Sequence, residues 1–394
     1  MTEDRPHIVG GGPDYHLAGS VLTVDLSALQ DNYRTLTALS APAQTAAVVK
    51  ANAYGLGVAE VVPALLEAGC TRFFVALPHE GIAVRQVAPE AEIFVFSGPL
   101  SAETGPVFRA YRLIPVLNSL RDIAVWEAEG WDGDDQLPAA LHVDTGMNRL
   151  GLAPAEASRF AEDNALTRAV RIVLLMSHLA CGDEPDHSLN KRQLESFQSL
   201  AAVFPGIETS LANSAGIMLG GGFLCDLTRP GIALYGGAPA PGMADLRPVA
   251  TAAARILQVR SAKAGETVGY GAAAWLRRDT LIAVAAAGYA DGYHRAGSGD
   301  GVPLRKAELQ GAAGFIAGQR VPVLGRISMD LTAFDVTDLG ADAVSAGDMV
   351  ELFGANIPLD EAARAAGTIS YELLTSIGRR FHRVYVTDER AASP

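Results

Sequence analysis

Between about Val21 and Gly236 the chain alternates short β-branched or aromatic runs with longer amphipathic stretches, a pattern that predicts βα units and a parallel sheet. After an opening helix come eight such runs: AAVVK (46–50), RFFVAL (72–77), EIFVFSG (92–98), RLIPVLN (112–118), AALHVDTG (139–146), RIVLLMSHL (171–179), ETSLANSAG (208–216) and CDLTRPGIALYG (225–236). Between most of them lie helical segments, such as EVVPALLEAG, HEGIAVRQVA and NKRQLESFQSLAAVF. Eight parallel strands with helices in roughly 220 residues predict a (β/α)8 TIM-type barrel, whose usual size is about 250 residues. Past residue 245 helical periodicity nearly vanishes. Short strands such as ARILQVR, TLIAVAAAGY, VPVLGRI and MVELFG, punctuated by Gly and Asp turns, predict a separate, mostly-β C-terminal domain. One helix-like segment, SYELLTSIG at 370–378, interrupts it before the last strand, HRVYVT. The expected organisation is an N-terminal extension (1–20), a barrel (21–245) and a β domain (246–394).

Composition agrees with two folded domains. The 394 residues are 49% hydrophobic and 19% charged, which is globular and provides a sizeable core. The formal net charge of −13 argues against nucleic acid and anionic membrane surfaces as partners. Cys70, Cys181 and Cys225 are an odd, widely spaced set with neither a disulfide framework nor paired metal-ligand spacing, so a reducing cytoplasm and no metal are expected. The polar, Gly-rich start reads as neither signal nor transit peptide, and the apolar run at 282–290 falls short of the ~18 residues a membrane span needs.

Catalytic groups of a barrel sit at the C-terminal ends of its strands. Here those ends carry Lys50, Asp144 to Arg149, His178, Asn213 with Ser214, and Arg229. A lysine, two arginines, a histidine and small hydroxyl or amide groups on one rim suit a phosphorylated, anionic cofactor with a carbonyl carbon. Taken singly, Lys50 also reads as a snorkelling surface lysine, Arg229 as a partner of Asp226, and His178 as a satisfied core residue.

The stretch VVKANAYGLG at 48–57 resembles the cofactor-lysine motif of alanine racemases, the fold type III racemases dependent on pyridoxal 5'-phosphate (PLP). The resemblance continues through VDTGMNRLG (143–151), MSHLA (176–180), ANSAG (212–216), RPGIALYG (229–236), VGYGAA (268–273), GYADGYHR (288–295), GRISMD (325–330) and SYELLTSIGRR (370–380). Only about the first twenty residues fall outside it.

The resemblance implies that Lys50 carries PLP covalently. It implies that Tyr54, Tyr371, Ser214 and the amides of Gly231 and Ile232 hold the phosphate, with Asn213 beside them. Arg229 is implied to face the pyridine nitrogen, with His178 orienting it. An arginine there only donates, so the ring nitrogen stays unprotonated and the cofactor is a weaker electron sink, which favours racemisation over transamination. Inversion of a carbon needs two acid-base groups flanking it. The resemblance gives these roles to Lys50 and Tyr270, the latter from a partner subunit's β domain. Arg149 and Met329, with Asp330, are implied to bind the substrate carboxylate, and Tyr289 to line the entrance. The implied assembly is a homodimer with shared active sites, racemising alanine in the cytoplasm to supply D-alanine for peptidoglycan.

One position departs from the commoner pattern. His142 stands where many relatives carry a carbamylated lysine that holds the carboxylate-binding arginine. Expected replacements are a bound anion, a neutral His142 accepting a hydrogen bond, or a histidine that only fills the interior. Rival readings are a serine or broader-specificity racemase of the same fold, and a non-catalytic PLP-binding protein. The acidic loop CGDEPDH (181–187) lacks regular ligand spacing and reads as solvated.

Overall fold

The computed structural model describes residues 7–9, 11–129, 136–162, 170–240, 246–301 and 311–387. The chain forms two compact units: Gln30–Leu234 with Ala238–Leu246, and Met1–Leu29 with Tyr235–Gly237 and Arg247–Pro394.

In the first unit seven parallel strands ladder in chain order: Ala47–Val48, Arg72–Val75, Glu92–Val95, Leu113–Leu117, Leu137–His142, Val170–Met176 and Glu208–Ser210. The eighth, Leu227–Thr228, closes the ring. It pairs in parallel with Gln44–Thr45, the other half of the first strand, and Asn213 bridges Arg229. Strands walled on both faces read as continuous apolar runs, and all five residues of Leu113–Leu117 are indeed buried. The outer helices start on recognisable caps. Ser119 accepts from the Asp122 amide, and Pro78 opens Pro78–Val87 with Glu80 in its first turn.

The second unit is built on the thirteen-residue strand Ala250–Ala262. It pairs antiparallel with Ser20–Asp25, Met349–Phe353 and Thr280–Ala285, and irregular registers beside Ala253 and Gln258 bend it so that it serves several neighbours. Phe381–Val386 lies parallel to Ser20–Asp25 and takes His7–Val9 on its other edge.

These pairings move the expected boundaries. His7–Val9, within the expected extension, is a strand paired in the second unit, and residues 21–29, expected in the barrel, group with that unit. The cause is the alternating SVLTVD stretch, buried at every second position, which needs one apolar neighbour layer rather than two. Residues 241–245, at the expected junction, lie outside the described residues. The β unit also holds a second helix, Leu359–Ala365, beside Ser370–Thr375. Among the described residues no helix is long and apolar enough to cross a membrane.

Candidate active site

Lys50 follows the first strand directly. Its backbone neighbours fix its place, since Val48 N donates to Pro230 O of the eighth strand's run (3.0 Å) and Val49 N to Phe74 O of the second strand (2.9 Å). What comes next is not a right-handed helix. Ala51, Asn52, Ala53 and Tyr54 all have φ between 53° and 55°, a left-handed turn made without glycine. Asn52 tolerates this backbone, but Ala51, Ala53 and Tyr54 cost roughly 1–2 kcal/mol each, so the surroundings must over-determine the turn. Gly55 N donates to Ala51 O (2.8 Å), Gly57 N to Asn52 O (3.0 Å) and Val58 N to Asn52 Oδ1 (2.9 Å). The turn buries Tyr54 against the eighth strand's exit, where a Cβ on Gly231 would fall 2.3 Å from Tyr54 Oη. Only glycine leaves that cradle open.

Burial lowers the Lys50 pKa, and the nearby Arg149 charge adds to the effect while Glu80 opposes it. A lysine poised this way favours its neutral, nucleophilic form. Its Nζ lies 6.0 Å from the Phe96 ring centroid. Phe96 stacks on Phe74, whose ring faces the Arg229 guanidinium at 5.9 Å.

Arg229 is 2% exposed. Its Nη1 donates to Ser210 Oγ, and its Nη2 donates to Ser177 O (2.7 Å) and Leu211 O (3.5 Å). Ser210 spends its own proton on Leu227 O (2.5 Å), so toward Arg229 it acts as an acceptor. These bonds engage both Nη atoms and leave Nε and one Nη1–H out. Desolvation lowers the guanidinium to about 10, which still keeps it a cation and a pure donor at neutral pH. Asp226 is not its partner, because its carboxylate accepts from Thr209 N and Oγ1 instead. Nor does His178 hydrogen-bond Arg229. Desolvated by its surroundings, and close to the Arg229 charge, its imidazole is pushed down to about 3 and is neutral.

His142 is fixed more tightly. Asn118 Nδ2 donates to Phe96 O and Val116 O, both at 2.9 Å, so its Oδ1 must be the acceptor facing His142 Nδ1 (2.8 Å). The proton therefore sits on Nδ1, and Nε2 carries the lone pair. Burial, then the Arg229 and Arg149 charges, lower its pKa to about 4. No hydrogen bond joins His142 to Arg149. Arg149 is exposed at the end of a loop organised by Asp144, whose carboxylate accepts from the amides of Gly146, Met147 and Asn148 (2.8–2.9 Å).

Ser214 Oγ accepts from Gly231 N (2.8 Å) and Ala233 N (3.3 Å), next to Ile232, which leaves its hydroxyl proton for a ligand. Asn213 caps the helix Ser214–Leu219 by accepting from Gly216 N. This donor set fits a phosphorylated pyridine aldehyde. An amine ends one strand, a hydroxyl donor and a glycine-only cradle await an anion, and a buried guanidinium keeps its Nε–H and one Nη1–H uncommitted. Among the described residues no three His, Cys, Asp or Glu side chains gather as a metal site.

In the second unit Tyr270 sits on a turn between Thr267–Val268 and Ala274–Trp275, flanked by Gly269 and Gly271 in left-handed conformations. It is 71% exposed and lines a groove with Arg326, Ser328 and Leu331. Tyr289 and Met329 lie on two loops that touch through Tyr289 N to Ser328 O (3.0 Å) and Ala290 N to Met329 O (2.9 Å). Gly288 permits the approach, since a Cβ there would meet Ser328 O at 2.3 Å. Arg380 braces both loops by pairing with Asp291 (3.1 Å) and Asp330 (2.8 Å). Tyr371 lies on Ser370–Thr375. Sequence reasoning missed Ser210, Asn118, Glu80 and Arg380, each a polar residue whose role arises only from a distant partner.

The family model described as the alanine racemase N-terminal domain matches residues 24–239, and the one for its C-terminal domain matches residues 249–385. The alanine racemase of Rhizobium meliloti is 50% identical over 377 residues, covering 95% of this chain and 98% of that one. The biosynthetic alanine racemase of Agrobacterium fabrum is 52% identical over 366 residues, 93% of each. Among solved structures, alanine racemase from Bartonella henselae with covalently bound pyridoxal phosphate superposes with a TM-score of 0.85 at 38% identity, covering 93% of this chain and 99% of that one. The chain belongs to the alanine racemase family.

Proposed function

We propose that the chain interconverts L- and D-alanine with PLP held on Lys50, in a homodimer whose active sites are shared, and that it supplies D-alanine for peptidoglycan in the cytoplasm. The observation that carries this reading is the pair formed by Lys50, a partly desolvated amine on a strained turn, and Arg229, a buried cation locked by three acceptors.

PLP bound there supplies the electron sink that acidifies the alanine Cα–H. Tyr54, Ser214 and the Ile232 amide, with Tyr371, would hold the phosphate, and the Gly231 amide, which donates to Ser214 Oγ, would orient that hydroxyl or turn to the phosphate itself. Arg229, a pure donor, would hold the pyridine nitrogen and could accept no proton from it, which would confine proton traffic to the substrate carbon. Lys50 Nζ takes or gives the proton on one face of Cα. Tyr270 of a second copy does the same on the other through its hydroxyl. Arg149 and the Met329 amide hold the carboxylate, and Tyr289 narrows the entrance. His142, neutral and tethered to Asn118, offers Nε2 as an acceptor and adds no charge beside Arg149.

Borohydride reduction of the PLP-loaded protein, followed by peptide mapping, tests the cofactor assignment. The adduct is expected on Lys50, and an adduct on Lys191, Lys263 or Lys306 overturns it. Racemase assays with L-alanine, L-serine and L-lysine test the substrate. Alanine is expected to be turned over fastest, whereas preference for serine would assign the broader-specificity reading.

A further inference from the structure

Helix Pro78–Val87 begins where the second barrel strand ends, and Glu80 lies in its first turn. Its carboxylate has two separate tasks. Oε2 accepts from Ala76 N (2.8 Å) and Leu77 N (3.0 Å), an ordinary cap of that helix's own entry. Oε1 faces the other way and accepts from Ala51 N at 2.7 Å, joining the exit of the second strand to the first residue of the left-handed turn. Capping does not require this second bond.

The turn does require an anchor. Of residues 51–54 only Asn52 belongs to a type that tolerates left-handed backbone, and Ala51, Ala53 and Tyr54 have no intrinsic preference for it. The bonds through Asn52, Gly55 and Gly57 secure its C-terminal side. On the N-terminal side Ala53 N donates to Val49 O (2.9 Å), and the Glu80 oxygen is the anchor that reaches the turn from another element. A turn released there would relax toward right-handed or extended backbone and carry Lys50 and Tyr54 with it.

We propose that Glu80 is a positioning residue, whose Oε1 holds the Ala51 amide so that the left-handed turn keeps the Lys50 amine and the Tyr54 hydroxyl in register with Gly231. The proposal rests on Lys50 as the cofactor-bearing lysine. Glu80 touches neither substrate nor cofactor and acts through the turn. Its charge also opposes the lowering of the Lys50 pKa by burial.

Glu80→Gln separates the two tasks, because the amide retains one acceptor. That oxygen will turn to the side with two donors, Ala76 and Leu77, preserving the cap and placing an NH2 against the Ala51 N–H. In cofactor-free protein, amide exchange across residues 51–58 is expected to quicken by about tenfold, the effect of losing one charge-assisted hydrogen bond, with exchange in 78–87 unchanged. PLP affinity, read by fluorescence titration, is expected to fall by a similar factor. In the loaded enzyme kcat falls while the alanine KM holds, and the limb of the pH profile set by Lys50 moves to lower pH. Adding Ala51→Gly is expected to restore part of the PLP affinity, since glycine adopts positive φ without a Cβ penalty. Wild-type exchange and PLP affinity in Glu80→Gln would overturn the proposal. So would faster exchange confined to 78–87, which reports a cap alone. Exchange in cofactor-free protein judges the hold on the turn separately from the mapping of the PLP adduct, so failure of one reading is distinguishable from failure of the other.

Discussion

The barrel unit and the β unit present their candidate groups in opposite ways. In the barrel, Arg229, His142 and Ser214 are buried and each is locked by named partners, while Lys50 rides a turn that the surrounding bonds hold against its own preference. In the β unit, Tyr270 is 71% exposed and Met329 52%, with Tyr289 and Leu331 also open, and their bracing comes from behind, through Gly288 and Arg380. The barrel half is preorganised to hold a charged cofactor in one orientation. The β half presents exposed apolar and hydroxyl groups, which the partner subunit of the proposed dimer would cover. In the proposed dimer each half supplies what the other lacks.

The largest expected effect is in the barrel. Lys50→Ala removes both the attachment point and one acid-base group, and D-alanine formation should drop by at least about 10⁴-fold. Substantial residual activity would break the assignment of the cofactor to this unit. Tyr270→Phe should slow both directions by about 10²- to 10⁴-fold, the usual loss for one acid-base catalyst. Equal slowing with L- and D-alanine is the sharper check, because each turnover uses both faces.

Stability should distinguish the halves as well. His142 titrates at about 4 in the folded chain, against about 6.5 when unfolded. Above pH 6.5 both states are neutral there and nothing changes. As pH falls below 6.5 only the unfolded chain binds the proton, so stability drops, by about 3 kcal/mol on reaching pH 4. Urea unfolding at pH 7 and pH 4.5 should show this loss in the wild type and a smaller one in His142→Asn. Ser210→Ala leaves a buried Arg229 N–H without its acceptor and should cost about 1–3 kcal/mol, together with weaker PLP retention. The smallest effect on activity belongs to the β unit. The Arg380 side chain is half exposed but its partner Asp291 is 2% exposed and would keep the Gly288 amide as its donor, so Arg380→Met should cost about 1–3 kcal/mol. It should raise the alanine KM by about two- to fivefold at unchanged kcat, because it shifts the Met329–Asp330 loop without touching the bases.

Much of this was legible in the sequence where local pattern and global role coincide. The barrel strands are apolar on both faces and announce themselves, and VVKANAYGLG marks its lysine. SVLTVD escaped because its partner strands lie more than two hundred residues away. Leu359–Ala365 escaped because a seven-residue, alanine-rich helix has little periodicity to read. The left-handed turn could not be foreseen, since Ala51 to Tyr54 contain no glycine. Glu80 looks like a cap and Ser210 like a strand hydroxyl. Each acquires its second role only when the barrel closes.

The central claim is that a working site takes Lys50 from one copy and Tyr270 from another. Subunit mixing tests it most directly. Lys50→Ala and Tyr270→Phe proteins, each inactive alone, are combined at equal concentration under conditions where subunit exchange is verified by mass. The account predicts recovery to roughly a quarter of wild-type activity, because half the dimers are mixed and each mixed dimer rebuilds one complete site. Proven exchange with no recovered activity would contradict it.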